Sequence, residues 1–182
     1  MRSYFIDFVK IFLASFAINV VHLSISMLLP HPVSSINTVF IGFVFILLFW
    51  EPSVVVWVAL ITSYLIELYS TTPFGIVLFS VTAAAVCMLW VYNYVFTNKT
   101  YFTAGALIFS SLIIYRFIFV LLIFILETIG SDIILISALI KNFLLEILIS
   151  TILCTIMFLF LQIFLGDLGD TKTQNRWFRK IS

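Results

Sequence analysis

The chain carries very little charge for its length. Only 9% of its 182 residues are Asp, Glu, Lys or Arg, whereas 64% are hydrophobic, and the mean hydropathy is +1.27. A soluble domain uses about 25% charged residues, so this composition excludes a soluble globular fold. The formal net charge of +1 also provides no basic surface for nucleic acid.

Cysteine and histidine are scarce too, with two of each. Cys87 and Cys154 lie inside apolar runs, where a free cysteine behaves as a small buried hydrophobe. The sequence therefore predicts no disulfide framework, no zinc site and no cofactor. The His-Glu-x-x-His, Gly-x-Ser-x-Gly and phosphate-loop motifs are missing as well. We expect a protein without enzymatic activity.

What the chain does contain is a series of apolar runs near the roughly 20 residues that a helix needs to cross a bilayer. Prolines and polar clusters separate these runs. We predict an all-α, polytopic membrane helix bundle over residues 1–165 and a short basic cytoplasmic tail over 166–182. The six predicted spans are Phe8 to Leu29, Ile36 to Trp50, Ser53 to Tyr69, Phe74 to Phe96, Phe102 to Leu126 and Asn142 to Leu165.

The last apolar run, Ile133 to Leu165, is too long for one simple crossing. Lys141 and Asn142 suggest where to divide it. We expect Ile133 to Ile140 to lie along the outer interface or to cap the bundle, and the sixth span to follow.

The cations are distributed unevenly. Seven of the nine Lys and Arg residues fall in three stretches, whereas the connections at 30–36, 70–75 and 127–132 contain none. By the positive-inside rule, both termini and the middle loop are cytoplasmic. The first apolar run is too long for the core of a secretory signal, so we expect it to remain uncleaved. The seven cations are Arg2, Lys10, Lys99, Lys172, Arg176, Arg179 and Lys180.

Several polar side chains interrupt the apolar spans. A central Arg costs about 2.5 to 3.5 kcal/mol on insertion scales, so Arg116 needs a partner. We predict that it pairs with Glu67, with Glu146 as second choice. The half of the bundle away from the cytoplasm is expected to contain five charged residues, Glu67, Arg116, Glu127, Lys141 and Glu146. This cluster is either a structural ion pair, the interpretation we favour, or a ligand site. We expect Asn19 and His22, one turn apart on the first span, to make interhelical hydrogen bonds.

One segment resembles a known family. The stretch Ser63-Tyr-Leu-Ile-Glu67-Leu-Tyr-Ser70-Thr-Thr-Pro73-Phe-Gly75 resembles the recurrent segment of the rod shape-determining protein MreD family. That segment has a small residue, an acidic residue four positions later, a Ser-containing turn and a Leu-Gly or Phe-Gly pair. The resemblance runs from Ile36 to about Ile129. Ser63 stands where glycine is commoner and Glu67 where aspartate is commoner, which indicates a divergent member.

The resemblance implies a non-enzymatic, multi-pass component of the bacterial inner membrane, within the machinery of rod shape, peptidoglycan synthesis and cell elongation (the elongasome). It would be a scaffold for an MreC-like bitopic protein and, through it, for MreB, RodA and a penicillin-binding transpeptidase. MreD-like proteins are similar in fold to the substrate-binding components of energy-coupling-factor vitamin transporters, which supply the alternative function. A structural subunit of another complex is a third. The structural or partner-binding candidates are Glu67, Ser70, Pro73, Gly75, Arg116 and Glu146.

Overall fold

The computed structural model describes residues 2–30, 33–96, 100–126 and 133–165, with side chains for 7–30, 34–96, 100–125 and 141–164. All secondary structure in these residues is helical. The predictions for the Lys99 loop, the connection at 127–132 and the tail at 166–182 fall outside them. The helices are α1 (Arg2–Leu28), a 3-10 turn (Val33–Ser35), α2 (Thr38–Phe49), α3 (Val54–Glu67), α4 (Ile76–Tyr94), α5 (Tyr101–Leu126) and α6 (Ile133–Leu165).

Four of the helices are long and apolar enough to cross a membrane, over Asp7–Leu28, Ile76–Tyr94, Tyr101–Ile125 and Lys141–Phe164. The other two, α2 and α3, are apolar but have only 12 and 14 residues. At 1.5 Å per residue they are about 18 and 21 Å long, less than the roughly 30 Å of a hydrocarbon core. The all-helical prediction is therefore confirmed, and four helices have the length of a simple span.

The predicted division of the last apolar run is wrong. Instead of a separate segment before Lys141, α6 is one continuous helix of 33 residues. No proline or glycine occurs between Ile133 and Leu165, so nothing in the sequence breaks the helix. Lys141 is exposed on the helix surface, where its long side chain does not interrupt the backbone. At about 50 Å, α6 is longer than a hydrocarbon core is thick.

The short helix α2 lies at the centre of the bundle. Later in the chain, α3 packs against α4, α4 against α5 and α5 against α6, while α1 packs mainly on α3. Helix α2 contacts α1, α3, α5 and α6. A helix that is apolar on every side suits a position enclosed by other helices. The buried residues of α2 are Val39, Phe40, Ile41, Phe43, Val44, Leu47 and Leu48.

Large apolar side chains cover much of the outer surface of α1, α4, α5 and α6, as expected of helices that face lipid. The tryptophans of the described residues are all exposed and lie at one end of the bundle, where α2 and α4 end and α3 and α5 begin. We call this end the Trp end. Trp and Tyr favour the boundary between hydrocarbon and headgroups, so the Trp end marks one face of the membrane. Its exposed Trp and Tyr residues are Trp50, Trp57, Trp90, Tyr94 and Tyr101.

Candidate functional site

The acidic residue of the MreD-like segment, Glu67, is the last residue of α3 and only 4% exposed. Its carboxylate accepts the backbone N–H of Gly75 at 3.0 Å and that of Leu78 at 2.6 Å. Both donors lie at the start of α4, where the first N–H groups have no partner within the helix. The positive end of the helix dipole also stabilises a negative charge there. Glu67 therefore caps α4 from the preceding helix.

Ser70 organises the turn that follows Glu67. Its backbone N–H donates to the Glu67 carbonyl at 3.1 Å. Its hydroxyl oxygen accepts the backbone N–H of Thr72 at 3.2 Å and lies 2.6 Å from the Thr72 hydroxyl. Serine in a turn commonly bonds the backbone two residues later in this way. The Ser70 hydroxyl therefore caps a backbone N–H group of the turn.

Pro73 and Gly75 lead the turn into α4. The Pro73 carbonyl accepts the N–H of Ile76 at 3.4 Å. Gly75 has a φ of +102°, a backbone conformation that glycine adopts without the steric cost of a Cβ atom. Glu67, Ser70, Pro73 and Gly75 thus meet in one turn, which we call the α3–α4 turn (residues 67–75).

The first residue of the same segment, Ser63, joins α3 to α4 within the bundle. Its hydroxyl lies 3.3 Å from that of Thr82 on α4 and also donates to the carbonyl of Leu60 at 3.0 Å. Ser63, Ala84 and Ala85 are fully buried. Small side chains let neighbouring helices approach closely, so the whole segment from Ser63 to Gly75 serves one helical hairpin.

A second cluster joins α2, α5 and α6. Arg116 on α5 donates to one carboxylate oxygen of Glu146 on α6, forming an ion pair. The other oxygen accepts the side-chain amide of Asn37 at 2.7 Å. The Asn37 backbone N–H also donates to the Ser150 hydroxyl at 2.8 Å. Glu146 is therefore shared between a cation and an amide from two other parts of the chain.

Aromatic rings surround the guanidinium of Arg116. Its central carbon lies 4.1 Å from the ring centre of Phe143, 4.9 Å from that of Tyr115 and 5.7 Å from that of Phe119. The negative faces of these rings stabilise a cation in a water-poor setting. The Arg116 Nε is buried and has no hydrogen-bond partner among the described residues, while the whole side chain is 21% exposed. The cluster thus keeps one buried donor without a hydrogen bond among the described residues.

The structure corrects the predicted pairing of Arg116. Its partner is Glu146, our second choice, and not Glu67. Glu67 has both carboxylate oxygens bonded to backbone N–H groups of α4. The two acids therefore have separate sets of hydrogen-bond donors.

Asn37 and Ser150 belong to the second cluster although the sequence did not indicate them. The Asn37 side-chain oxygen accepts the backbone N–H of Phe40 at 3.3 Å and caps α2. Asparagine before a long apolar run is a known helix-start signal, so the cap was detectable in the sequence. The contact with Glu146, 109 residues away, was not.

Asn19 and His22 join α1 to its neighbours, as predicted. The Asn19 amide donates to the Ser15 carbonyl at 2.9 Å and to the Thr62 carbonyl on α3 at 3.5 Å. His22 Nδ1 lies 3.0 Å from the Thr38 hydroxyl on α2. These bonds hold α1 against the bundle by polar contacts.

Within the described residues, no group of three or more His, Cys, Asp or Glu side chains could hold a metal ion. The arrangement of the polar side chains caps helices and ties them together. Comparison of the chain with protein-family models, with curated proteins and with solved structures gives no match.

Proposed function

We propose that the chain is a divergent member of the MreD family and acts, by binding and without turnover, as a scaffold of the bacterial cell-elongation machinery. The observation that supports this proposal is the α3–α4 hairpin. Residues of the family-like segment take part in one hydrogen-bonded unit that includes the Glu67 cap and the positive φ of Gly75. The spacing of the segment therefore has a physical reason, independent of any catalytic role.

Our proposed topology has six spans and both termini in the cytoplasm of the bacterial inner membrane. The short helices α2 and α3 would cross as a central pair, supported by the longer helices around them. The cation distribution supports this orientation. Reporter fusions at Lys99 and after Ser182 should give cytoplasmic signals, and one at Pro32 should not. A periplasmic signal at Lys99 would contradict the topology.

The proposed partners are an MreC-like bitopic protein and, through it, MreB, RodA and a penicillin-binding transpeptidase. Purification from bacterial membranes in a gentle detergent should recover the bitopic protein. Depletion of the chain should round or widen rod-shaped cells. Unchanged cell shape after full depletion would contradict the scaffold.

A pair of variants tests the observation on which this proposal rests. Glu67→Ala removes the carboxylate that caps α4, whereas Thr71→Ala changes an exposed residue of the same turn. We expect Thr71→Ala to restore the shape of depleted cells and Glu67→Ala to fail, when both are compared at equal membrane abundance. Full restoration of cell shape by Glu67→Ala would show that the capped α3–α4 hairpin is not required for the function.

The alternative proposal is a substrate-binding component of an energy-coupling-factor vitamin transporter. One observation favours it, namely the partly exposed Arg116 with an unused donor and three aromatic rings around it. Such a cation could bind a carboxylate ligand. A vitamin or an ATPase module that co-purifies with the chain, together with normal cell shape after depletion, would support this alternative.

A further inference from the structure

The α3–α4 turn presents apolar side chains to its surroundings and keeps its charge inside. Leu68 is 58% exposed, and Tyr69 and Phe74 are each 71% exposed, whereas the carboxylate residue Glu67 is buried. A group of large exposed apolar residues marks a surface that contacts something other than water.

The turn at the other end of α3 gives a direct comparison. It joins α2 to α3 at the Trp end and exposes the charged Glu51 and the hydroxyl-bearing Ser53, as expected of a turn in contact with water. Residues 68–75 contain no charged side chain. The two turns of α3 thus differ in the chemistry that they present outward.

Much of the backbone of the α3–α4 turn is hydrogen-bonded within the turn itself. Several of its N–H groups donate to oxygen atoms of residues 66–70 at 3.0 to 3.2 Å, namely those of Tyr69, Ser70, Thr72 and Gly75. A loop in water does not require this, because water can accept from exposed N–H groups. In a water-poor setting each unsatisfied group costs several kcal/mol, so internal partners are needed.

The position of the turn along the bundle agrees with these observations. Helix α4 ends at the Trp end and has 19 residues, so its first residue lies about 27 Å from that end. A hydrocarbon core is about 30 Å thick, which places the α3–α4 turn at the opposite boundary. Its exposed surface also continues the lipid-facing sides of α3 and α4, where Tyr64 and Phe79 are exposed.

We infer that the α3–α4 turn is a lipid-binding surface, which lies in the boundary between hydrocarbon and headgroups with Leu68, Tyr69 and Phe74 in contact with phospholipid. Tyrosine suits this boundary because its ring is apolar and its hydroxyl is polar. The occupant of the surface is lipid and not a partner protein, so the turn anchors the end of the short helix α3 in the membrane. This role requires only that the bundle spans a bilayer and is independent of the scaffold proposed above.

Spin labels on the turn test this inference. Leu68→Cys, Thr71→Cys and Phe74→Cys are made singly in a Cys87→Ala, Cys154→Ala background, and the labelled protein is reconstituted alone in phosphatidylcholine and phosphatidylglycerol vesicles. The accessibility of each label to oxygen, which concentrates in hydrocarbon, is compared with its accessibility to a water-soluble nickel chelate. We expect a higher ratio of oxygen to nickel accessibility at 68 and 74 than at 71, the exposed hydroxyl-bearing residue of the turn.

Two control sites bracket the expected ratio. Glu51→Cys labels the exposed turn between α2 and α3, and Phe109→Cys labels an exposed position of α5 about 12 Å from the Trp end. The ratios at 68 and 74 should lie above that at 51 and below that at 109. Ratios as low as that at 51 would overturn the inference, because the turn would then face water. Low accessibility to both reagents would also overturn it, because protein and not lipid would then cover the surface.

Discussion

Among the residues whose side chains are described, the two buried carboxylates have opposite kinds of hydrogen-bond partner. Glu67 accepts from backbone N–H groups eight and eleven residues later in the chain. Glu146 accepts from the side chains of Arg116 and Asn37, which lie 30 and 109 residues away. The first site is built by a single turn, and the second requires three helices to be packed already.

The charges of the two carboxylates are also stabilised by different interactions. The charge of Glu67 is stabilised by unpaired N–H groups and the dipole of α4, and it requires no cation. The charge of Glu146 is stabilised by Arg116, and each would be costly in a water-poor environment without the other. Mutations should therefore couple strongly at the second site and remain local at the first.

The largest effect is expected when Arg116 is lost. Arg116→Leu leaves Glu146 buried without its cation and should destabilise the protein by about 3 to 5 kcal/mol. Adding Glu146→Gln should restore part of this loss, because a neutral amide oxygen can still accept from Asn37. Unfolding in a fixed detergent mixture, or abundance in the membrane, measures both variants.

A matched variant tests whether Glu146, and not Glu67, is the acid left unpaired by Arg116→Leu. Glu67→Gln combined with Arg116→Leu should be no more stable than Arg116→Leu alone, because Glu67 has a separate set of donors. Equal rescue by Glu67→Gln and Glu146→Gln would show that Arg116 interacts with both acids.

The next effect concerns the cap at Glu67. Glu67→Ala leaves the N–H groups of Gly75 and Leu78 without acceptors and should cost about 2 kcal/mol. Glu67→Gln should cost less, because its one amide oxygen can still accept. The losses of unfolding free energy caused by Glu67→Ala and by Arg116→Leu should add in the double variant, because the two residues share no donor or acceptor. A coupling above about 1 kcal/mol in unfolding measurements would contradict separate sites.

The same contrast explains how much the sequence could predict. The α3–α4 turn was identified because its serine, proline and glycine lie within a few residues of Glu67, and turn chemistry is local. Apolar runs in the sequence predict the helices, but they do not predict which helices are neighbours in the bundle. Glu67 and Glu146 both lie near the depth of Arg116, and depth alone does not say which helix is adjacent. The partner depends on packing between distant parts of the chain.

A smaller effect is expected at Gly75. Its φ is +102°, a conformation that destabilises a residue with a Cβ atom by about 1 to 2 kcal/mol. A Cβ atom added at this position would have no neighbouring atom within 4 Å. Gly75→Ala should therefore lower stability by backbone strain alone, and Gly75→Asn by less. Thr71→Ala in the same turn should be near neutral. Thermal unfolding that ranks Ala as milder than Asn would show that strain is not the cause.

The smallest effect tests the polar contact between Ser63 and Thr82, which joins the α3–α4 hairpin inside the bundle. Hydrogen bonds between membrane helices average about 0.6 kcal/mol, so Ser63→Ala and Thr82→Val should each cost about that much. Because the hydroxyls lie 3.3 Å apart, the double variant should cost less than the sum of the two. Ser24→Ala is the control, since the exposed Ser24 hydroxyl bonds only a carbonyl of its own helix, that of Val20. Full additivity of Ser63→Ala and Thr82→Val would mean that helix packing alone, and not this hydrogen bond, aligns α3 with α4.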